Sequence, residues 1–530
     1  MLRKADRLTD ALSAFQCAAE AAPDFAKAWI EQGLTALRLG LRQQALTALA
    51  RGLELQPDSA LAWHALGNAR RADGELEAAE GAFRKAVALS AGYATAWANL
   101  GAVLRLLGRA DEALACFERA GKAGYASPDL ADNIAGTLLD SGRLGEAFEQ
   151  AKDLTRAHPD FVPGHVTLAH ILWEYGDEPD SDAAVAALRA AVQNRPHNRP
   201  LRVAFARFLM GARRAEDALV QIGILRAEDP DPQLARMEAD ALEALGRTER
   251  AGALYEKLHR DLGNNDATFL NAYTRHLLRA GNWLAAADRA TDALRLDSGN
   301  QEAWSYLGTA WRLLDDPREH WLCDYDRLVE LVEIEPPAGF AEVSDLLAAL
   351  TSTLEPLHQA RREPVQQTLR GGSQTPGRLF GRPDPVIAAT QASLLSAVER
   401  WLQKLPTDAR HPFLMRKAST VRFSGSWSVR LWSSGSHVNH IHPEGWLSSA
   451  FYVSLPPSVT TRAAAGDPAG CIQFGQPPVE LGLDLPPRRV IRPEAGRLAL
   501  FPSYMWHGTV PFQDEEPRLT IAFDMVPLGG

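Results

Sequence analysis

The chain has 530 residues, 46% of them hydrophobic and 23% charged, and a net charge of −10. That length allows at least two domains with ample cores. The acidic balance is spread along the chain and argues against a general nucleic-acid or anionic-membrane binder.

The four cysteines, at 17, 116, 323 and 471, are far apart and form no CxxC pair. Neither a disulfide framework nor a zinc site is expected, and a reducing cytoplasm is the predicted setting. No apolar run reaches the roughly 18 residues of a membrane span. Met1-Leu-Arg-Lys-Ala-Asp-Arg7 leads straight into an amphipathic pattern, without the apolar stretch of a signal peptide.

Residues 1–320 repeat. Trp29, Trp63 and Trp97 stand 34 apart and open the phrases Trp29-Ile-Glu-Gln-Gly33, Trp63-His-Ala-Leu-Gly67 and Trp97-Ala-Asn-Leu-Gly101. Two further steps land on Ala131 and His165. A second ruler runs through glycines 40, 74, 108, 142 and 176, then 211, 246 and 281. Each unit is expected to be a helix ended by a left-handed glycine, followed by a second helix such as Glu77–Val87. Pro-Asp pairs at 23, 57 and 159 lead into the next unit, residues 8–22 read as a lone second helix, and Trp304-Ser-Tyr-Leu-Gly308 opens a ninth, incomplete one. Asp177–Asp182 is expected as a small insertion between helices.

The period, the W-x-x-L-G phrase and A-x-x-x-F/Y in the second helix (Ala113–Phe117, Ala251–Tyr255) resemble the tetratricopeptide repeat, with about eight to nine units. The resemblance implies a solenoid with a concave groove. A peptide or protein ligand is expected there, and a scaffold or dimerisation surface is the alternative. His64, His165 and His276 are assigned to helix faces.

Glu335-Pro-Pro-Ala-Gly339 breaks the helical periodicity and marks a boundary, so 321–364 is taken as a helical cap and linker. Helix is predicted for 341–358 and 383–405. Between them, Thr368–Phe380 is rich in glycine and polar residues and is predicted to be a connecting loop. The competing possibility is a loop folded over a site, with Arg370 or Gln374 reaching substrate.

From about Ala418 the pattern changes to short alternating runs: Ser428–Trp432, Ser449–Leu455, Gly470–Phe474, Val490–Arg492, Arg497–Phe501 and Leu519–Phe523. Six or more such strands predict a sandwich or jelly roll. Within it lies His437-Val-Asn-His440-Ile-His442-Pro-Glu444. Residues i and i+2 of a strand share a face, so His440 and His442 present two imidazoles together. His507, after a turn in Phe501–His507, offers a third. Three facial ligands suit non-haem Fe(II), although the usual set is two histidines and one carboxylate. His442-Pro-Glu444 offers a carboxylate, so the third ligand is either His442 or Glu444. Arg518, with Thr520 on the same side, is suited to holding a carboxylate.

These stretches resemble the 2-oxoglutarate/Fe(II)-dependent oxygenases, in a bacterial and phage branch carrying H-x-H-P-x-x-x-L-S-G-x-Y-Y, G-x-L-x-L-F-P-S-x-x-x-H and R-x-S/T-x-x-F. They stand here as His440–Tyr452, Gly496–His507 and Arg518–Phe523, with Ser449 where that branch has Gly. The resemblance spans 365–530 and implies a double-stranded β-helix (jelly roll) with flanking helices. It also implies Fe(II) held by His440, His442 and His507, and 2-oxoglutarate held by Arg518 and Thr520 with a hydrogen bond from Tyr452. His437 is placed beside the ligands or at the surface, and Trp432, Trp446 and Trp506 either wall the site or fill the core. A cupin-type metalloprotein without 2-oxoglutarate and a non-enzymatic scaffold with a degenerate barrel are the alternatives.

Overall fold

The computed structural model describes residues 2–176, 182–229, 231–365, 367–460 and 467–528. It divides into two compact units, Met1–His158 with Pro376–Pro383, and Pro159–Thr375 with Asp384–Gly530. No described helix is long and apolar enough to cross a membrane.

The first unit is a run of paired helices, among them Ala26–Arg38 with Arg42–Leu55, Ala60–Ala72 with Leu76–Leu89, and Ala94–Leu106 with Ala110–Lys122. Each motif residue has a packing reason. The glycine of the W-x-x-L-G phrase lets the partner helix approach: a Cβ on Gly33, Gly67 or Gly101 would lie 2.5–2.6 Å from Leu49, Phe83 or Phe117. Each tryptophan donates its indole N–H to a carbonyl six residues earlier, at Pro23, Pro57 and Ala91, latching the turn between units. Within this unit Arg382 donates to the carbonyls of Asp140 and Pro376, so 376–383 is held on the helix Pro128–Asp140.

In the second unit the pairing continues from Val162–Tyr175 to Gln301–Leu313. The tryptophan latch recurs at Trp304, which donates to the Ser298 carbonyl, and His165 takes the same part with the carbonyl of Pro159. Glycines 40, 74, 108, 142, 246 and 281 are left-handed. The ruler slips at the two others. Gly176 is extended (φ −60°), and Gly211 ends a helix while Arg213 takes the left-handed turn (φ 59°). The expected insertion at 177–182 lies, except for Asp182, outside the described residues; Asp182 precedes the helix Ala183–Asn194.

The remainder is antiparallel β-structure with flanking helices Val343–Leu354 and Pro385–Lys404. Its strands are β1 Glu330–Glu333, β2 Leu369–Gln374, β3 Val421–His437, β4 Leu447–Ser454, β5 Ile472–Phe474, β6 Arg489–Ile491, β7 Arg497–Pro502, β8 His507–Thr509 and β9 Arg518–Pro527. One sheet has the order β1-β7-β4-β9-β3-β2 and the other β6-β5-β8. The fold is thus a helical-repeat solenoid followed by a jelly-roll-type β region. Two expectations change. Leu369–Gln374 is a strand paired with β3 rather than a loop, its two glycines accommodating a bulge against Gly435. Glu330–Glu333, placed in the helical cap, is the edge strand beside β7.

Candidate metal centre

β3 ends at His437 and the chain turns through 438–446 into β4. From that turn His440 forms an isolated antiparallel bridge with His507 at the start of β8, N–H to carbonyl in both directions at 2.9 and 3.0 Å. Directly opposed residues of an antiparallel pair project to the same side. His442 is fixed by its own N–H to the Ser503 carbonyl at 3.0 Å. The pair expected on a strand therefore stands on a turn pinned by backbone hydrogen bonds, and its side chains still converge. Gly508 makes room for this turn, because a Cβ there would sit 2.2 Å from Asn439 Oδ1.

One ligating atom from each of His440, His442 and His507 lies within 4.8 Å of the others. Glu444 is outside that group, exposed on the cavity rim. His440 Nδ1 lies 2.7 Å from the Val438 carbonyl, and His507 Nδ1 lies 2.9 Å from that of Met505. A carbonyl only accepts, so both Nδ1 atoms carry the proton. His442 Nδ1 lies 2.6 Å from Asp524 Oδ1 and is a donor on the same reasoning. With its proton on Nδ1, a neutral imidazole keeps a bare Nε2 that can ligate a metal. The Nε2 atoms of His440 and His442 are nevertheless 3.0 Å apart. Two lone pairs at that distance repel unless a cation lies between them. Desolvation, then the neighbouring imidazoles, holds His440 and His507 well below the usual histidine range.

The histidines open onto a cavity of ≈ 430 Å³. Residues 518, 520, 522 and 524 of β9 alternate onto its wall. Arg518 is 2% exposed; it donates Nη1 to the Gly470 carbonyl at 2.8 Å, and its guanidinium lies 5.0 Å over the Tyr452 ring. Its buried Nε has no hydrogen-bond partner among the described residues. Tyr452 pairs with Thr520 across β4 and β9 but lies beneath the guanidinium rather than in the cavity wall. Burial pushes its hydroxyl up to about 12.

His437 lines the cavity 5.5 Å from the His440 ring, and desolvation, then Arg518 and His442, pushes it down to about 3. Of the tryptophans singled out, Trp446 is core, stacked on Phe413 at 4.5 Å with its N–H on that residue's carbonyl. Trp506 anchors to Thr309, and Trp432 does not line the cavity. Trp427 does, 5.7 Å from His442. Gln374 also lines it, whereas Arg370 bonds to the carbonyls of Gln367 and Leu369. Asp524 was missed by sequence reasoning, although the even spacing from Arg518 and Thr520 marks it.

Residues 425–524 match the family described as "Putative 2OG-Fe(II) oxygenase". Residues 2–60, 30–94, 64–131 and 177–241 match models described as "Tetratricopeptide repeat". No curated protein matches the chain. Similar solved structures include MamA (26% identity over 29% of this chain and 85% of that one, TM-score 0.28). YrrB, titled a TPR protein with an unusual peptide-binding site, is 22% identical over 35% of this chain and 95% of its own, with TM-score 0.31. PilF of Pseudomonas aeruginosa is 22% identical over 39% and 92%, with TM-score 0.30.

Proposed function

We propose that this chain, which carries N-terminal tetratricopeptide repeats and a C-terminal 2-oxoglutarate/Fe(II)-oxygenase domain, is an Fe(II)- and 2-oxoglutarate-dependent hydroxylase of a peptide or protein. The observation that carries the reading is the set of three imidazoles with every Nδ1–H committed and their ligating atoms gathered. Such a donor set fits a divalent cation better than it fits any arrangement of neutral side chains.

His440, His442 and His507 would hold the metal, and Glu444 would not. Arg518 would receive the distal carboxylate of 2-oxoglutarate. Its guanidinium is desolvated, already fixed on one side by Gly470, and has a buried N–H to spare. Thr520, two residues along the same face, would add a hydroxyl. Fe(II) and 2-oxoglutarate together would supply the oxygen activation by which one oxygen atom enters a C–H bond of the substrate, the other being taken up as 2-oxoglutarate is oxidised to succinate and carbon dioxide. The chain's own residues bind and orient, and Trp427, Leu431, Ile472 and Phe501 keep an apolar wall around the centre.

The peptide or protein substrate is read from the repeat architecture, whose grooves accommodate extended partners. Part of the second unit's repeat surface is taken by the chain itself. Trp173 donates to the Glu363 carbonyl, the Glu174 carbonyl accepts from Arg361, and Arg312 donates to the carbonyls of Gly475 and Pro486. An anaerobic titration of the full chain with Fe(II), without and then with 2-oxoglutarate, tests the reading. A weak visible charge-transfer band that appears only with both is expected, and its absence would overturn the assignment.

A further inference from the structure

The usual facial triad contributes one negative charge to its metal through a carboxylate ligand. Three neutral imidazoles contribute none, and a divalent cation in a partly buried site is costly without compensation. Two carboxylates line the cavity among the described residues, Glu444 and Asp524. Glu444 is exposed on the rim. Asp524 is 8% exposed and faces the one histidine that differs from the others. His440 and His507 give their Nδ1–H to neutral carbonyls, whereas His442 gives its own to Asp524 Oδ1 at 2.6 Å.

The carboxylate has a second partner besides the histidine. Asp524 pairs with Ser448 in the β4–β9 register, and Ser448 Oγ donates to the same Oδ1 at 2.7 Å while also bonding Ser503 Oγ at 2.8 Å. Ser503 provides the carbonyl that fixes the His442 backbone. One network therefore sets both the ring and its acceptor.

We propose that Asp524 is a positioning residue that carries the triad's negative charge one hydrogen bond away from the metal, through His442. A carboxylate on Nδ1–H fixes the tautomer and raises the basicity of Nε2, so the His442–Asp524 pair stands in for a carboxylate ligand. This inference rests on the metal reading above.

The test is Fe(II) affinity of the full chain, measured anaerobically by equilibrium dialysis, with no turnover required. Asp524→Asn keeps an acceptor oxygen for the ring but removes the charge, and is expected to weaken Fe(II) by about 10–100-fold. The double variant His442→Asp with Asp524→Asn moves the charge to the ligand position and is expected to recover most of that loss. Failure of the unaltered chain to bind Fe(II) would overturn the metal reading itself. Binding by the unaltered chain that Asp524→Asn leaves unchanged would overturn this inference alone. So would a loss that the double variant, folded by near-UV circular dichroism, does not repair.

Discussion

Trp506 donates its indole N–H to Thr309 Oγ1 at 2.9 Å, joining the residue before His507 to the last first-helix of the repeats. Trp506 also packs with Tyr306, Leu277 and Leu481, and Ile441, lying between His440 and His442, packs on the same cluster. Within the second unit the repeat helices thus serve as a wall for the histidine turn. Thr309→Val leaves a buried indole N–H unpaired and is expected to cost about 1–3 kcal/mol of stability. Trp506→Ala is expected to cost about 3–5 kcal/mol. Denaturant melts read the loss, and a parallel fall in Fe(II) affinity for Thr309→Val would show that the wall positions the ligands. An unchanged affinity would confine its role to stability.

The choice between the two candidate third ligands has a direct consequence. His442→Ala is expected to weaken Fe(II) beyond the roughly 10–100-fold that loss of an outer partner causes. Glu444→Gln is expected to leave both affinity and stoichiometry unchanged. Metal content after anaerobic gel filtration separates them, and the reverse result would put Glu444 in the coordination sphere.

Arg518 makes the co-substrate assignment separable from the metal. Arg518→Ala is expected to weaken 2-oxoglutarate by about 2–5 kcal/mol while Fe(II) still binds. Arg518→Lys is expected to recover only part of this, since an ammonium cannot make a two-pronged contact. Anaerobic calorimetry of 2-oxoglutarate into the Fe(II)-loaded chain reads both. Equal affinity in all three proteins would remove Arg518 from the site.

A pH dependence follows from His358. Its ring nitrogens each lie 3.0 Å from a serine hydroxyl, of Ser373 on β2 and Ser428 on β3, and desolvation, then Arg430, pushes it down to about 4. The folded ring stays neutral while the unfolded one gains a proton below about 6.5, so the unfolded state binds more protons between those values. Stability is therefore complete above about 6.5 and is lost as pH falls from there to about 4. The loss is on the order of 3 kcal/mol. His358→Gln is expected to flatten that part of the stability profile, measured by urea melts from pH 7 to 4. An unchanged slope would assign the acid sensitivity to other groups.

The repeats were legible because each motif residue serves one local purpose, glycine for close approach and tryptophan for the turn carbonyl. The slip at Gly211 and Arg213 leaves no signal in the sequence, because an arginine gives no sign of a left-handed backbone. β2 was hidden by its paired glycines, whose strand character depends on Gly435 opposite them. His440, His442, His507, Arg518 and Thr520, which line one cavity, are legible from their spacing. The contact that distinguishes His442 from Glu444, a hydrogen bond to Asp524 82 positions away, is not legible in the sequence. Pairings at that separation leave no local pattern.

The central claim is that three imidazoles hold the metal. X-ray absorption at the iron edge, on the full chain loaded anaerobically with one equivalent of Fe(II), counts them directly. Three imidazoles are predicted in the unaltered protein and two in His442→Ala. Two imidazoles in the unaltered protein, with a carboxylate contribution that Glu444→Gln removes, would contradict it.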